Sequence, residues 1–195
     1  MERAREELPA GPVTLRRWVD RDADELHRVV HESLEHLAPW MAWAAHGYSD
    51  TDARDHLRRS RDGWEDGTEY GYAIRLADGA PMDGAPREGA LVEGALVGAC
   101  SMMARIGPGG MEIGYWLHPG HTGHGFVTAA AAAMTAEAFR IGADRVEIVH
   151  DVANVRSGAV PRRLGFTEVA RRPPQEEPSS GEAGEDVVWR TRADQ

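Results

Sequence analysis

The sequence predicts an α/β fold, a mixed sheet with helices on both faces. Three observations carry the prediction. Stretches alternating apolar and polar residues are interleaved with stretches whose apolar residues recur every three to four positions, in the order β-α-α-β-β-β-α-β-α-β-β. A length of 195 residues suits a single domain spanning 1–195 with a sizeable core. The composition, 42% hydrophobic and 28% charged, is that of an ordinary soluble globular chain.

The elements follow in order. "VTLRRW" (13–18) alternates and reads as the opening strand. "DADELHRVVHESLEHL" (22–37) reads as a helix. Asp22 and Glu25 make a capping-box-like start, Leu26, Val29, Val30, Ser33 and Leu37 share one face, and Pro39 stops it. A weaker helix runs from about Thr51 to Trp64 on the stripe Ala53, Leu57, Trp64, and the loop before it holds Trp40, Trp43 and Tyr48. "EYGYAIRL" (69–76) and "ALVGACSMMARI" (95–106) read as consecutive strands. Their link contains the tandem duplications DGAPM-DGAPR and EGALV-EGALV. Five-residue units are far too short for a solenoid, so a mobile surface tongue is predicted at 78–93.

"MEIGYWLHP" (111–119) is a further strand, ended by Pro119, and a helix follows from Phe126 to Ile141. "RVEIVHD" (145–151) is a strand and "NVRSGAVPRRLGF" (154–166) a short helix. Pro161 sits oddly far along that helix and is expected to shorten or kink it. "TEVARR" and "VVWRTR" close the sheet. The Pro/Gly/Ser/Glu-rich stretch between them (173–185) reads as a flexible loop.

The charge excludes one class of partner. At a net −10 the chain lacks the basic face of a nucleic-acid binder. No apolar run approaches the roughly 18 residues of a membrane span, and "MERAREELPAGP" is too charged for a secretory signal. Cys100 stands alone, so a cytoplasmic address is expected.

The chemistry concentrates in "HPGHTGHGFVTAAAAAM" (118–134). A strand runs into Thr122-Gly-His-Gly-Phe-Val-Thr128 and then a helix, so free helical N–H groups and the positive dipole end face one point. It is not a Walker loop, because no Lys-Ser/Thr follows. Nor is it a Rossmann fingerprint, because Thr128 occupies the third glycine position. A phosphate seat and a plain glycine turn both fit. A metal site does not: His118, His121 and His124 lack helical spacing and an adjacent Cys or acid, and His27/His31 lack the Glu of a zincin. Cys100 reads as a small mid-strand hydrophobe, and no Gly-x-Ser-x-Gly elbow occurs.

Five features recur together: the strand "EIGYWL", the glycine loop with its long helix, "VEIVHD", Asn154-Val-Arg-Ser157, and "LGF" (164–166). Over residues 12–170 this resembles the GCN5-related N-acetyltransferases (GNAT), and within them the RimJ/RimL-like branch, to which "LAPWMAW" is similar too. The resemblance implies a central, mostly antiparallel sheet of six or seven strands and an acetyl-CoA-dependent N-acetyltransferase. The family's pyrophosphate loop, Gln/Arg-x-x-Gly-x-Gly/Ala, falls on Thr122 to Val127. Thr122 replaces the long polar residue and Val127 the small one, so weakened but retained binding is expected. The cofactor-binding set is then Tyr115, Trp116, Leu117, Thr122, Gly123, His124, Gly125, Phe126, Val127, Thr128, Asn154 and Ser157.

Acetyl transfer needs a neutral amine, and an α-amine (pKa about 8) loses its proton more readily than lysine. Glu112 is the expected base, directly or through water. A main-chain N–H of Tyr115–Leu117 would hold the oxyanion. Many members of that family place a tyrosine at the departing sulfur; none lies between 150 and 170, and the resemblance to the RimJ/RimL-like branch implies Ser157 there, with Asn154 on the pantetheine arm or capping its helix. Glu32, Ser33, Trp40, Trp43 and Tyr72 are the acceptor candidates. With no activated nucleophile evident, a direct ternary-complex mechanism is expected. The favoured acceptor is a protein N-terminal α-amine. A small-molecule amine and a degenerate acyl-CoA-binding regulatory module are the alternatives, and a homodimer is left open.

Overall fold

The computed structural model describes residues 2–77 and 94–193; the predicted tongue at 78–93 lies outside the described residues. The elements are β1 (Glu7–Ala10), β2 (Val13–Arg17), α1 (Ala23–Leu37), α2 (Asp50–Asp66), β3 (Glu69–Leu76), β4 (Leu96–Met103), β5 (Gly110–Leu117), α3 (Phe126–Arg140), β6 (Arg145–Asp151), α4 (Val155–Arg163), β7 (Thr167–Arg172) and β8 (Asp186–Arg192). The strands form one eight-stranded sheet in the order β1-β2-β3-β4-β5-β6-β8-β7. Every pairing is antiparallel except β5 with β6.

The sheet has one strand more than the sequence predicts. Leu8 and Ala10 of β1 are buried and Glu7 and Pro9 exposed, but four residues holding a proline, in a charged leader, give too short a pattern to read. Proline is tolerated there because β1 is an edge strand.

Helices α1 and α2 cover one face of the sheet. The predicted α1 stripe of Leu26, Val29, Val30, Ser33 and Leu37 is buried, packing beside Ala73, Leu96 and Ala99. The expected capping box does not form. Asp22 instead accepts from the Val19 N–H (3.0 Å) and from Arg16 and Arg75, while Glu25 accepts from Arg75 and the Leu96 N–H. Tertiary cations outbid the local cap. Helix α2 starts earlier than predicted because Ser49 and Asp52 form its capping box.

Helix α3 covers the other face. Ala130, Ala131 and Ala138 are buried, and side chains this small let the helix lie close on the sheet.

The C-terminal part of the segment 173–185 is hydrogen-bonded to the rest of the fold. The Asp151 carboxylate accepts from the N–H groups of Ala183 (2.9 Å), Gly184 (2.8 Å) and Glu185 (3.1 Å), and the Gly181 N–H donates to Pro39 O (2.9 Å). A buried carboxylate satisfied by main-chain donors is a tertiary device that composition does not announce.

One irregularity positions the site. The parallel β5–β6 ladder covers Gly110–Glu112 against Arg145–Glu147 and then ends. Beyond it β5 stays on β4 as far as Leu117, while β6 stays on β8 as far as Asp151. The two strands part, and the sheet opens into a gap.

Candidate active site

The gap exposes main chain. The His118 N–H donates to Val97 O (2.9 Å), so by alternation Trp116 and Gly114 also turn their peptide groups toward β4. Those of Tyr115 and Leu117 then point away from β4, into the gap, beyond the end of the β6 ladder. The sequence-predicted oxyanion donors therefore lie along an open strand edge.

The edge leads into a cleft of about 1170 Å³ between β5, the start of α3, and α4. Gly123 (φ +84°) and Gly125 (φ +77°) take left-handed backbone, with no atom within 4 Å of where a Cβ would stand. From Gly123 to Thr128 the main-chain N–H groups find no acceptor among the described residues. Free donors beside an open concavity at a helix start suit an anion. Thr122, Phe126, Val127 and Thr128 line the cleft. The Thr122 hydroxyl itself donates to Pro119 O (3.0 Å), so the departure from Gln or Arg helps close the loop. His124 stacks on Phe126 (5.4 Å) and is not among the lining residues.

The charge around the cleft is more telling than its shape. In a chain of net charge −10, its lining contains no acidic side chain among the described residues. It does contain His36, Arg156 and Arg163. Most arginines here are paired with carboxylates, but Arg156 and Arg163 are in no ion pair among the described residues. Sequence reading missed both. Their i, i+7 spacing on α4 was the available signal.

Helix α4 carries Ser157. Asn154 Oδ1 accepts from the Ser157 N–H (3.1 Å), so Asn154 caps the helix while its residue lines the cleft. Below, the Trp189 indole donates to His150 Nε2 (3.0 Å), leaving Nδ1 to donate to Asp151 O (2.7 Å). The imidazole lies so close to Gly158 that a Cβ there would sit 2.5 Å from it. The helix is thus seated against β6 one residue from Ser157. No tyrosine follows β6, but β5 supplies one. The Tyr115 hydroxyl donates to Ser157 O (3.0 Å) and stands 3.4 Å from Ser157 Oγ. Burial pushes its pKa up to about 12, so it stays protonated.

At the apex of the gap Glu112 is buried and paired with Arg105. Asp186 stands nearby, its pKa raised by burial and by the charges of Asp151 and Glu112, with Arg172 opposing. Sequence reading missed Arg105 and Asp186, whose roles depend on pairing across strands.

The acceptor candidates scatter. Trp40 lines the cleft, joined by Met41. Trp43 is 44% exposed and packs against Tyr48 (5.6 Å) and Trp116 (6.2 Å). Glu32 pairs with Arg28 and lies 3.6 Å from His118, lining a separate hollow with His31 and His36. Two expectations fail outright. Ser33 is fully buried, its hydroxyl donating to Val29 O (2.6 Å). Tyr72 is fully buried too, edge-on to Trp64 and donating to Arg5 O (2.8 Å). Both belong to the core. Cys100 is likewise buried, which pushes its thiol pKa up and leaves it inert.

A sheet split beside an anion-ready helix start, with an open strand edge leading to a buried carboxylate, defines an acyl-transfer protein of the acyl-CoA-using class. Residues 13–167 match the acetyltransferase (GNAT) domain. The chain belongs to the GNAT acetyltransferase family, and its acetyl donor is acetyl-CoA. It is similar to YdaF of Bacillus subtilis (strain 168), named provisionally as a ribosomal N-acetyltransferase. The two are 29% identical over 166 residues, 80% of this chain and 78% of that one. Among solved structures it resembles RimL, the ribosomal L7/L12 α-N-protein acetyltransferase in complex with coenzyme A. The TM-score is 0.80 at 24% identity, covering 97% and 99% of the chains. Mycobacterium smegmatis RimJ in complex with CoA-disulfide gives 0.76 at 26% identity, covering 96% and 85%.

Proposed function

We propose that this protein acetylates the α-amine at a protein N-terminus by direct transfer in a ternary complex, in the cytoplasm. One observation carries the transfer chemistry: a cleft free of acidic side chains, in an acidic protein, runs from unpaired main-chain donors to an open strand edge. RimL's name as a protein α-N-acetyltransferase favours the α-amine, and YdaF's as a ribosomal N-acetyltransferase is compatible with it.

Acetyl-CoA supplies an activated carbonyl on a thiolate leaving group. The chain supplies the rest. The N–H groups of Gly123–Thr128 hold the pyrophosphate, and Arg156 and Arg163 add positive charge at the rim. A Tyr115 or Leu117 N–H receives the carbonyl oxygen as it gains charge. Glu112, directly or through water, takes the proton the amine loses as its nitrogen bonds the carbonyl carbon and the carbon–sulfur bond breaks. The Ser157 hydroxyl donates a hydrogen bond to the departing sulfur. Burial beside Arg105 holds the Glu112 carboxylate in place.

The test is calorimetric titration with acetyl-CoA, then thiol release and acceptor mass shift over N-terminal peptides and small amines. The proposal expects binding followed by release with peptides bearing a free α-amine. Release with small amines alone would move the acceptor to that class, and binding without any release would mark a regulatory acyl-CoA module.

A further inference from the structure

We propose that Tyr115 is a positioning residue for Ser157, a strut from β5 to α4 that takes the carbonyl Pro161 leaves unbonded. Proline inside a helix has no N–H to offer the carbonyl four residues back, and its ring crowds that carbonyl away from the helix axis. In α4 the carbonyl so released is that of Ser157. The hydroxyl of Tyr115 takes it, donating at 3.0 Å from across the gap. A helical bond lost within α4 is replaced by one that ties α4 to the very strand whose open edge receives the acetyl group.

The consequence falls on the serine hydroxyl. Ser157 N–H is held by Asn154 Oδ1 at 3.1 Å and its carbonyl by Tyr115, so the main chain of this residue is held on both sides. Among the described residues its Oγ has only a long contact, 3.4 Å to the Tyr115 oxygen. That contact is weak enough to give up. The hydroxyl can therefore turn to an arriving sulfur by rotating about one bond, while the backbone beneath it stays fixed. Tyr115 itself keeps its proton, because burial raises its pKa to about 12 and its donor is engaged with the carbonyl. It positions; it does not transfer a proton.

The buried Pro161 is otherwise unexplained. In a nine-residue helix an alanine would supply the missing N–H and serve local stability better. Its place four residues after Ser157 makes Tyr115 necessary.

The strut stands on the structure alone, and its catalytic consequence rests on the acetyl-transfer reading. The test is a double-mutant cycle of wild type, Tyr115→Phe, Pro161→Ala and the double variant, read by steady-state kinetics and by thermal unfolding. In the Pro161 background, Tyr115→Phe should lower kcat about tenfold and leave KM for acetyl-CoA within about twofold, with an unchanged pH profile. Pro161→Ala alone should stay near wild type. In the double variant the alanine N–H takes over the Ser157 carbonyl, and most of the lost kcat returns. The same loss in both backgrounds would overturn the proposal, as would a loss confined to KM or a shifted pH profile. Coupling in thermal unfolding, with no turnover by wild type, would uphold the strut while sinking the acetyl-transfer reading. No coupling in either measurement would overturn the strut.

Discussion

The two sides of the site are built by different means. The cofactor side is mostly main chain: the N–H groups of Gly123–Thr128, the open edge at Tyr115 and Leu117, and alanines at 129, 132 and 159 that leave room. The side proposed for the acceptor is side chain on a loop, with Trp40 and Trp43 between α1 and α2. Main-chain sites tolerate sequence drift because every residue but proline carries the same donor. Thr122 and Val127 can therefore depart from the family's pattern without removing the seat. Side-chain sites change identity with every substitution, which is how one scaffold serves different acceptors.

The sharpest way to break this contrast is to spoil the main-chain seat. Gly125→Asp places a carboxylate among the anion donors and a side chain at φ +77°. It should cost acetyl-CoA affinity about 100-fold or more by calorimetry, and unchanged affinity would refute the seat. Next is Glu112→Gln, at the junction of the two sides. It should lower kcat about 100-fold at neutral pH, with part recovered above about pH 9 as the amine deprotonates unaided. A flat pH response would remove Glu112 as base and turn attention to Asp186.

Smaller changes sharpen the contrast. Arg163→Gln should weaken acetyl-CoA about fivefold, the more so at low salt, and leave the acceptor KM alone. Trp43→Ala should do the reverse, raising the acceptor KM about threefold with cofactor affinity constant; equal effects on both ligands would erase the division. The smallest effect lies outside the site. Burial lowers the His56 pKa from 6.5 to about 4, where the ring packs edge-on to Trp18. The folded state prefers neutral His56, so the contribution is complete above about pH 6.5 and is lost as pH falls toward 4. Urea titrations at pH 7 and pH 4.5 should show His56→Gln flattening that decline by about 1–2 kcal/mol.

Much of this was legible in the sequence, for local reasons. The strand running into Thr122-Gly-His-Gly and then an alanine run announces a helix start with free donors, and that is what forms. Asn154 with Ser157 three residues on announces a cap, which also forms. Ser33 and Tyr72 were misjudged because a hydroxyl looks equally polar whether it faces a substrate or, as here, the Val29 and Arg5 carbonyls. No tyrosine follows β6, and the one that reaches Ser157 comes from β5, 42 residues earlier, where no local spacing marks it.

By itself the sequence determined the four helices, every strand but β1 and the glycine loop, since periodicity, turns and φ > 0 are properties of neighbours along the chain, and the resemblance of its motifs pointed to the family. Only the tertiary structure decided where β5 leaves β6, which carboxylates share the apex, and which hydroxyl meets the carbonyl that Pro161 releases. Those depend on strand register and on burial. Both are set by contacts between residues far apart in sequence, where no local spacing records the partner.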